Sequence, residues 1–338
     1  MSVVHIVHCV DTEGPLTESI EQTFRRLRDM FGLDFAPDPE LLRRLQAGAV
    51  DLGGIEADVA RVIAPALLDY NDSWDAIRAM LDRFWAPENQ KRLADPEGRP
   101  WIATWHCCDH VDYDENPQRR DMGFHRVLDF YAGMLADRPD RLDEIEFHFH
   151  PQPLNGRANS NATHWFANRP TLFQILARRI IDRLWFPAVN RPGFHVARPD
   201  SHWFLEQFVP FDYANQAVLP SAGGEQRDVA DGRFGDWRRA PTTWRPYHPD
   251  HDDYQVPGRC RRAIFRCLNV GTRFRLLSQE DVDQAFAEAA ESGVAVLAFT
   301  NHDFRDIGPD CADALAMVRR AAAGRPDVAW RHSTAREA

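Results

Sequence analysis

Short apolar runs recur along the chain, and several of them end abruptly in ionisable residues. Residues 3–10 (VVHIVHCV), 101–108 (WIATWHCC), 144–150 (EIEFHFH), 193–197 (GFHVA), 212–218 (DYANQAV), 263–269 (AIFRCLN) and 294–300 (VAVLAFT) predict strands. Helical spacing lies between many of them. Leu41, Leu42 and Leu45 follow a Pro-Asp-Pro start, and Val59, Ile63 and Leu67 keep an i, i+4 rhythm. Phe124, Val127, Leu128, Tyr131 and Leu135 form a further stripe. Residues 278–293 open on a Ser cap, carry Glu in the first turn and close on Gly. Strands alternating with helices predict an α/β chain with a parallel sheet or barrel.

Two stretches break the rhythm. Residues 15–99 read as helix and loop, an insertion between the first and second strands. Residues 220–258 mix Pro, Gly, Trp and charge without periodicity, which predicts an ordered loop over a ligand. No repeat and no shift in composition divides the chain, so 1–338 reads as one domain.

Composition narrows the options. At 338 residues and 44% hydrophobic the chain can bury a large core. A net charge of −11 argues against nucleic acid or an anionic membrane as partner. Cys9, Cys107, Cys108, Cys260, Cys267 and Cys311 show neither CxxC nor zinc-finger spacing, which predicts reduced thiols. No leader-like segment opens the sequence, and no run approaches the roughly 20 apolar residues of a membrane span. A cytoplasmic, bacterial protein without stable membrane insertion is the expectation; oligomeric state is not legible.

The chemistry sits at the strand ends. Asp11 and Glu13 lie at i and i+2 after the first apolar run, on one face of a strand. His148 and His150 likewise share a face, alternating with Phe147 and Phe149. The plainer alternatives are a solvated strand end and a pair of rim histidines. HxH before a break is also a metal-ligand spacing, since both rings reach one point; Zn²⁺ accepts neutral imidazole and carboxylate. His302 and Asp303 follow the late run VAVLAF, a third strand finishing in ionisable groups. His106 and Asp109 after the second strand, with His195 and Arg198 after the fourth, are lesser candidates. In the aperiodic loop, Trp237, Trp244 and Tyr247 offer faces for a sugar or a carrier's nucleobase.

In order along the chain, these elements resemble the polysaccharide deacetylase, or NodB-homology, family (carbohydrate esterase family 4). Asp11-Thr12-Glu13 resembles its first acidic motif, His150-Pro151 its His-Pro motif, and His302 in VLAFTNHD its late histidine. Ala103-Thr104-Trp105 is similar to its second strand, and 194–216 to its arginine region. The likeness is nearest to divergent members of lipopolysaccharide and surface-sugar clusters. It implies a distorted (β/α)7-type barrel and a divalent metal: zinc first, with Co²⁺, Ni²⁺ or Mn²⁺ also suited. It further implies removal of an N-acyl group from a free or carrier-linked sugar. Asp11 would be the base, Glu13 a metal ligand with His150, and His302 the proton donor to the amine. Two departures follow. The position four before His150 is Glu146, so either His148 or Glu146 completes the ligands. His195 stands near the family's arginine, with Arg198 as stand-in to orient the base. His106, Asp109, His195, Trp244, Tyr247 and Asp303 complete the candidate substrate contacts.

Three other functions fit the same residues: a metallohydrolase for cyclic amides or phosphoesters, a sugar-binding relative without catalysis, or an assembly protein using 15–99 as an interface.

Overall fold

The computed structural model describes residues 2–151, 156–157, 171–197, 199–219, 235–271 and 276–338, except the side chains of 199–201. Its strands are β1 (Ser2–Thr12), β2 (Thr104–Cys107), β3 (Glu144–Phe149), β4 (Val189–Pro192), β5 (Phe211–Asn215), β6 (Ala263–Asn269), β7 (Val294–His302) and β8 (Val328–Ser333). All ladders between them are parallel, in the order β2-β3-β4-β5-β6-β7-β1. A pairing of β1 with β2 closes the ring. The expected (β/α)7-type barrel is therefore present.

β1 has a divided edge. Its first half, Ser2–Val7, pairs with β8, and its second half, Cys9–Thr12, pairs with β2. The eighth strand thus fills the gap at the N-terminal end of the barrel without entering the ring.

Both faces of β1 are covered, which is why it reads as a continuous apolar run. Val4, Ile6 and Val10 face outward into the helix layer, while Val7 and Cys9 face the barrel interior. Tyr213 and Phe265 stack at 4.4 Å beside them and, with Val189, Cys267 and Ala298, fill the lower barrel. Above this layer, toward the C-terminal strand ends, the interior is lined by ionisable groups.

The insertion folds as α1 (Ile20–Phe31), α2 (Pro39–Gln46), α3 (Glu56–Val62), α4 (Pro65–Leu68), α5 (Trp74–Phe84) and α6 (Pro87–Leu93). Phe24, Leu27, Leu45, Val59, Val62 and Ile63 give the first helices their own core. From α5 and α6, Ile77, Leu81, Phe84 and Leu93 join the main core instead. The outer layer continues with α7 (Arg126–Ala136), α8 (Thr171–Arg183), α9 (Pro199–Phe208), α10 (Gln279–Ser292) and α11 (Gly308–Gly324). At α10 the Ser278 hydroxyl and the Asp281 carboxylate cap each other's backbone N–H, and Gly293 ends the helix in the left-handed region. Such a cap stabilises by about 1 kcal/mol. No helix among the described residues is long and apolar enough to cross a membrane.

The expected strand at 193–197 is shifted. The ladder runs over Val189–Pro192, and 193–195 form a 3₁₀ turn. Asn190 and Arg191 lie on this strand, buried among polar partners, so it lacks the apolar signature of its neighbours.

Candidate metal centre

The strand ends place their ionisable groups on one rim. In the β1 ladders Asp11 is the register partner of both His106 and His302, so the three side chains point inward together. Glu13 follows one residue past β1, and Gly14 allows the chain to turn there at φ +72. A Cβ at Gly14 would stand 2.8 Å from the Trp74 ring, so this turn takes only glycine. The turn is also tied from the end of the neighbouring strand β7. Asp303 accepts the Glu13 N–H at 2.9 Å and the Gly14 N–H at 3.0 Å, and the Tyr131 hydroxyl donates to it at 3.0 Å.

Glu13, His148 and His150 meet. Glu13 Oε1 is 3.1 Å from His150 Nε2 and 3.6 Å from His148 Nε2, and the two ring nitrogens are 3.1 Å apart. All three residues are buried, and their donor atoms lie within 4.8 Å of one another. His148 Nδ1 donates to the Arg191 carbonyl at 2.6 Å, so its Nε2 lone pair is the one turned inward. A proton on His150 Nε2 can bridge this trio, and a divalent cation suits the same place better, because it accepts all three donors at once. Gly193 makes room for the arrangement: a Cβ there would overlap the His150 ring.

Glu146 lies on the same face as the two histidines, two residues lower. Its Oε2 accepts the Ala188 and Val189 N–H groups at 3.0 Å, and its Oε1 pairs with Arg336. It is held away from the cluster, which therefore contains His148.

The electrostatics are set by burial and two arginines. Burial pushes the Asp11 carboxyl up, but Arg191, aided by His148, His302 and His106, outweighs it and leaves the group below its ordinary range. Arg191 Nε stands 2.7 Å from Asp11 Oδ1. Burial likewise opposes ionisation of Glu13, and Arg119 with His150 holds it well below the usual value. Burial lowers the histidines instead: His302 to about 4, His106 to about 3, and His150 despite the Glu13 carboxylate. At neutral pH Asp11 and Glu13 are therefore ionised beside neutral His106, His150 and His302. His302 Nε2 lies 3.7 Å from Asp11 Oδ2 and 3.8 Å from Glu13 Oε1, and its side chain is 21% exposed.

Several expected substrate contacts are placed otherwise. Trp244 is a core residue: its indole N–H donates to the Asp281 carbonyl, Arg266 covers its ring, and its carbonyl pairs with Val296 near the start of β7. It is thus about 20 Å along the strand from His302, at roughly 3.3 Å per residue. Tyr247 is also buried, paired through its backbone to Ile264 and through its hydroxyl to Tyr254. Trp237 donates to the His195 carbonyl and has no exposed surface. Asp109 is consumed by Arg179 and the His125 N–H, and Asp303 by the Glu13–Gly14 turn. The His195 ring sits between the Arg191 guanidinium and Asn269, so it backs the arginine rather than facing the rim. His106 remains in the rim's wall beside Asp11, fully buried. Arg198 and residues 220–234 lie outside the described residues.

Two arginines were not among the sequence candidates. Arg191 carried one readable signal, an arginine directly before Pro192-Gly193 at a strand end. Arg119 had none, lying in an aperiodic polar loop.

No family model matches the chain, and no curated protein matches it. Among solved structures, a crystal structure of "a putative glycoside hydrolase/deacetylase" from Parabacteroides distasonis aligns with 98% of this chain and 69% of that chain. The identity is 12% and the TM-score 0.44. At that similarity the functional reading rests on this chain's own residues.

Proposed function

We propose that the chain is a metal-dependent hydrolase that removes an acetyl-type N-acyl group from a sugar, and that it is a divergent polysaccharide deacetylase. The sugar would be a building block of surface polysaccharide or lipopolysaccharide, in keeping with the sequence resemblance. One observation carries the reading: Glu13, His148 and His150 converge on a barrel rim that also holds an arginine-paired Asp11 and His302. In parallel α/β barrels that rim is where active sites are built.

Glu13 Oε1 and the two Nε2 atoms would hold the cation, zinc by donor chemistry, with Co²⁺, Ni²⁺ or Mn²⁺ also compatible. Bound there, it would supply a Lewis acid for the acyl oxygen and for water. Asp11 takes the proton of the attacking water at Oδ2, the oxygen turned toward His302, while Arg191 keeps Oδ1. Water oxygen then bonds to the acyl carbon, the C–N bond breaks, and the nitrogen needs a proton to leave as an amine. His302 is neutral at rest, because burial lowers it to about 4. The proton it delivers is therefore the one Asp11 has just taken, passed over a gap that is 3.7 Å in the resting protein.

The test is release of acetate or formate from N-acetyl and N-formyl sugars by zinc-supplied protein, beside a phosphoester panel. Cleavage of phosphoesters alone, or no cation bound after zinc is supplied, overturns the proposal.

A further inference from the structure

Glu13 offers only one of its oxygens to the two histidines. Its Oε2 is engaged by the Arg119 guanidinium, whose other terminal nitrogen donates to the Gly14 carbonyl at 3.0 Å and the Glu13 carbonyl at 3.4 Å. The arginine is itself fixed. Its backbone bridges to Leu16, its cation lies 4.9 Å over the Phe304 ring, and its side chain is 7% exposed. Asp11, the other carboxylate of the rim, is paired as well, to Arg191. Glu13 and Asp11 therefore each have a guanidinium partner on the side turned away from the two histidines or from His302.

We infer that Arg119 is a positioning residue that holds Glu13 by its outer oxygen and cancels its charge. The rim then meets a cation with one carboxylate oxygen and reduced affinity. The inference rests on the metal-site reading above. A carboxylate free to turn both oxygens inward would, with two imidazoles, occupy four positions; one held by Arg119 brings the total to three, leaving the fourth for water or substrate. A fixed positive charge beside the ligand also opposes a divalent cation directly, and this repulsion is strong in a buried setting. Removing the arginine therefore tightens cation binding. A merely structural residue would loosen or leave it.

The experiment measures Zn²⁺ affinity of the stripped full-length protein by competition with a chromophoric chelator. The wild type is compared with Arg119→Gln and Arg119→Lys, and circular dichroism checks that each is folded. Arg119→Gln should bind Zn²⁺ at least tenfold more tightly, while Arg119→Lys, which keeps the charge, should stay within about threefold of wild type. If Arg119→Gln does not fold, the lysine variant decides, and a tenfold change in its affinity overturns the inference. Equal or weaker binding by Arg119→Gln also overturns it and leaves the metal site standing. Absence of Zn²⁺ binding in the wild type overturns both.

Discussion

Asp11 Oδ1 lies 2.7 Å from Arg191 Nε, and neither side chain is more than 4% exposed. The pair joins the first and fourth strands across the barrel interior and leaves Asp11 Oδ2 facing His302. The Arg191 guanidinium is braced in turn by the Tyr213 carbonyl at 3.1 Å and the Thr300 hydroxyl at 3.0 Å. A buried carboxylate kept ionised this way is ready to take a proton.

Its two partners should fail differently. Asp11→Asn keeps the shape of the rim and the Glu13–His148–His150 trio, so cation content should hold while turnover falls about 10²- to 10⁴-fold. Full activity, or loss of the cation, would remove Asp11 from its role. Arg191→Met leaves a buried carboxylate without its partner, which costs about 3–5 kcal/mol of stability. Urea unfolding of the metal-free proteins measures that loss, and an unchanged midpoint contradicts it.

Removing His148 and removing Glu146 should separate cleanly. His148→Ala takes one imidazole from the cluster, so zinc retained after dialysis against a weak chelator should drop sharply. Glu146→Gln weakens the Arg336 pair and the caps on the Ala188 and Val189 N–H groups, so it should lower stability yet keep zinc. Metal analysis beside thermal unfolding reads both effects. The reverse pattern would make Glu146 the ligand.

Gly193 should be as intolerant as a ligand. Gly193→Ala places a methyl group on the His150 ring, and the ring must move off the line to Glu13. Overpacking of this kind costs about 1–3 kcal/mol. The diagnostic loss is zinc affinity, which should fall at least tenfold. An alanine variant that binds zinc as wild type does would show that the ring position is not critical.

What the sequence made legible follows from where polarity falls. β1, β3, β6 and β7 are covered on both faces, so their apolar runs announced them, and the ionisable ends of β1, β3 and β7 announced the rim. β4 stayed hidden because its buried positions are polar on both faces, Arg191 inside the barrel and Asn190 paired with Asp212 outside it, and Arg191 was hidden with it. The choice between His148 and Glu146 was undecidable from strand periodicity, since both share a face; height along the strand separates them. Trp244 and Tyr247 looked like ligand contacts because their loop lacks periodicity. Aromatic rings in such a loop serve equally well to seal the lower core, and here they do. Arg119 acts through a tertiary meeting of loop 109–123 with the turn after β1, which leaves no trace in local pattern.

The last prediction concerns acid. His8, on the outer face of β1, accepts from the Trp101 indole N–H at Nδ1 and donates through Nε2 to the Asn301 side-chain oxygen Oδ1. Both bonds are satisfied only by the neutral ring, and a second proton would cost the Trp101 contact. Burial lowers its pKa from 6.5 to about 4, the Asn301 bond opposing. His332, donating to the Leu93 carbonyl, is lowered to about 4 by burial as well. The sign follows directly. Between pH 6.5 and 4 the unfolded chain binds a proton at each histidine that the folded chain refuses, so stability is full above pH 6.5 and falls as pH drops through that window. Each group contributes a slope of up to about 1.4 kcal/mol per pH unit. His8→Phe and His332→Phe should each flatten the wild-type dependence of unfolding free energy on pH between 6.5 and 4, whatever they do to stability at pH 8. Urea titrations at half-unit steps measure it, and slopes identical to wild type in both variants would show that neither ring is held neutral by the fold.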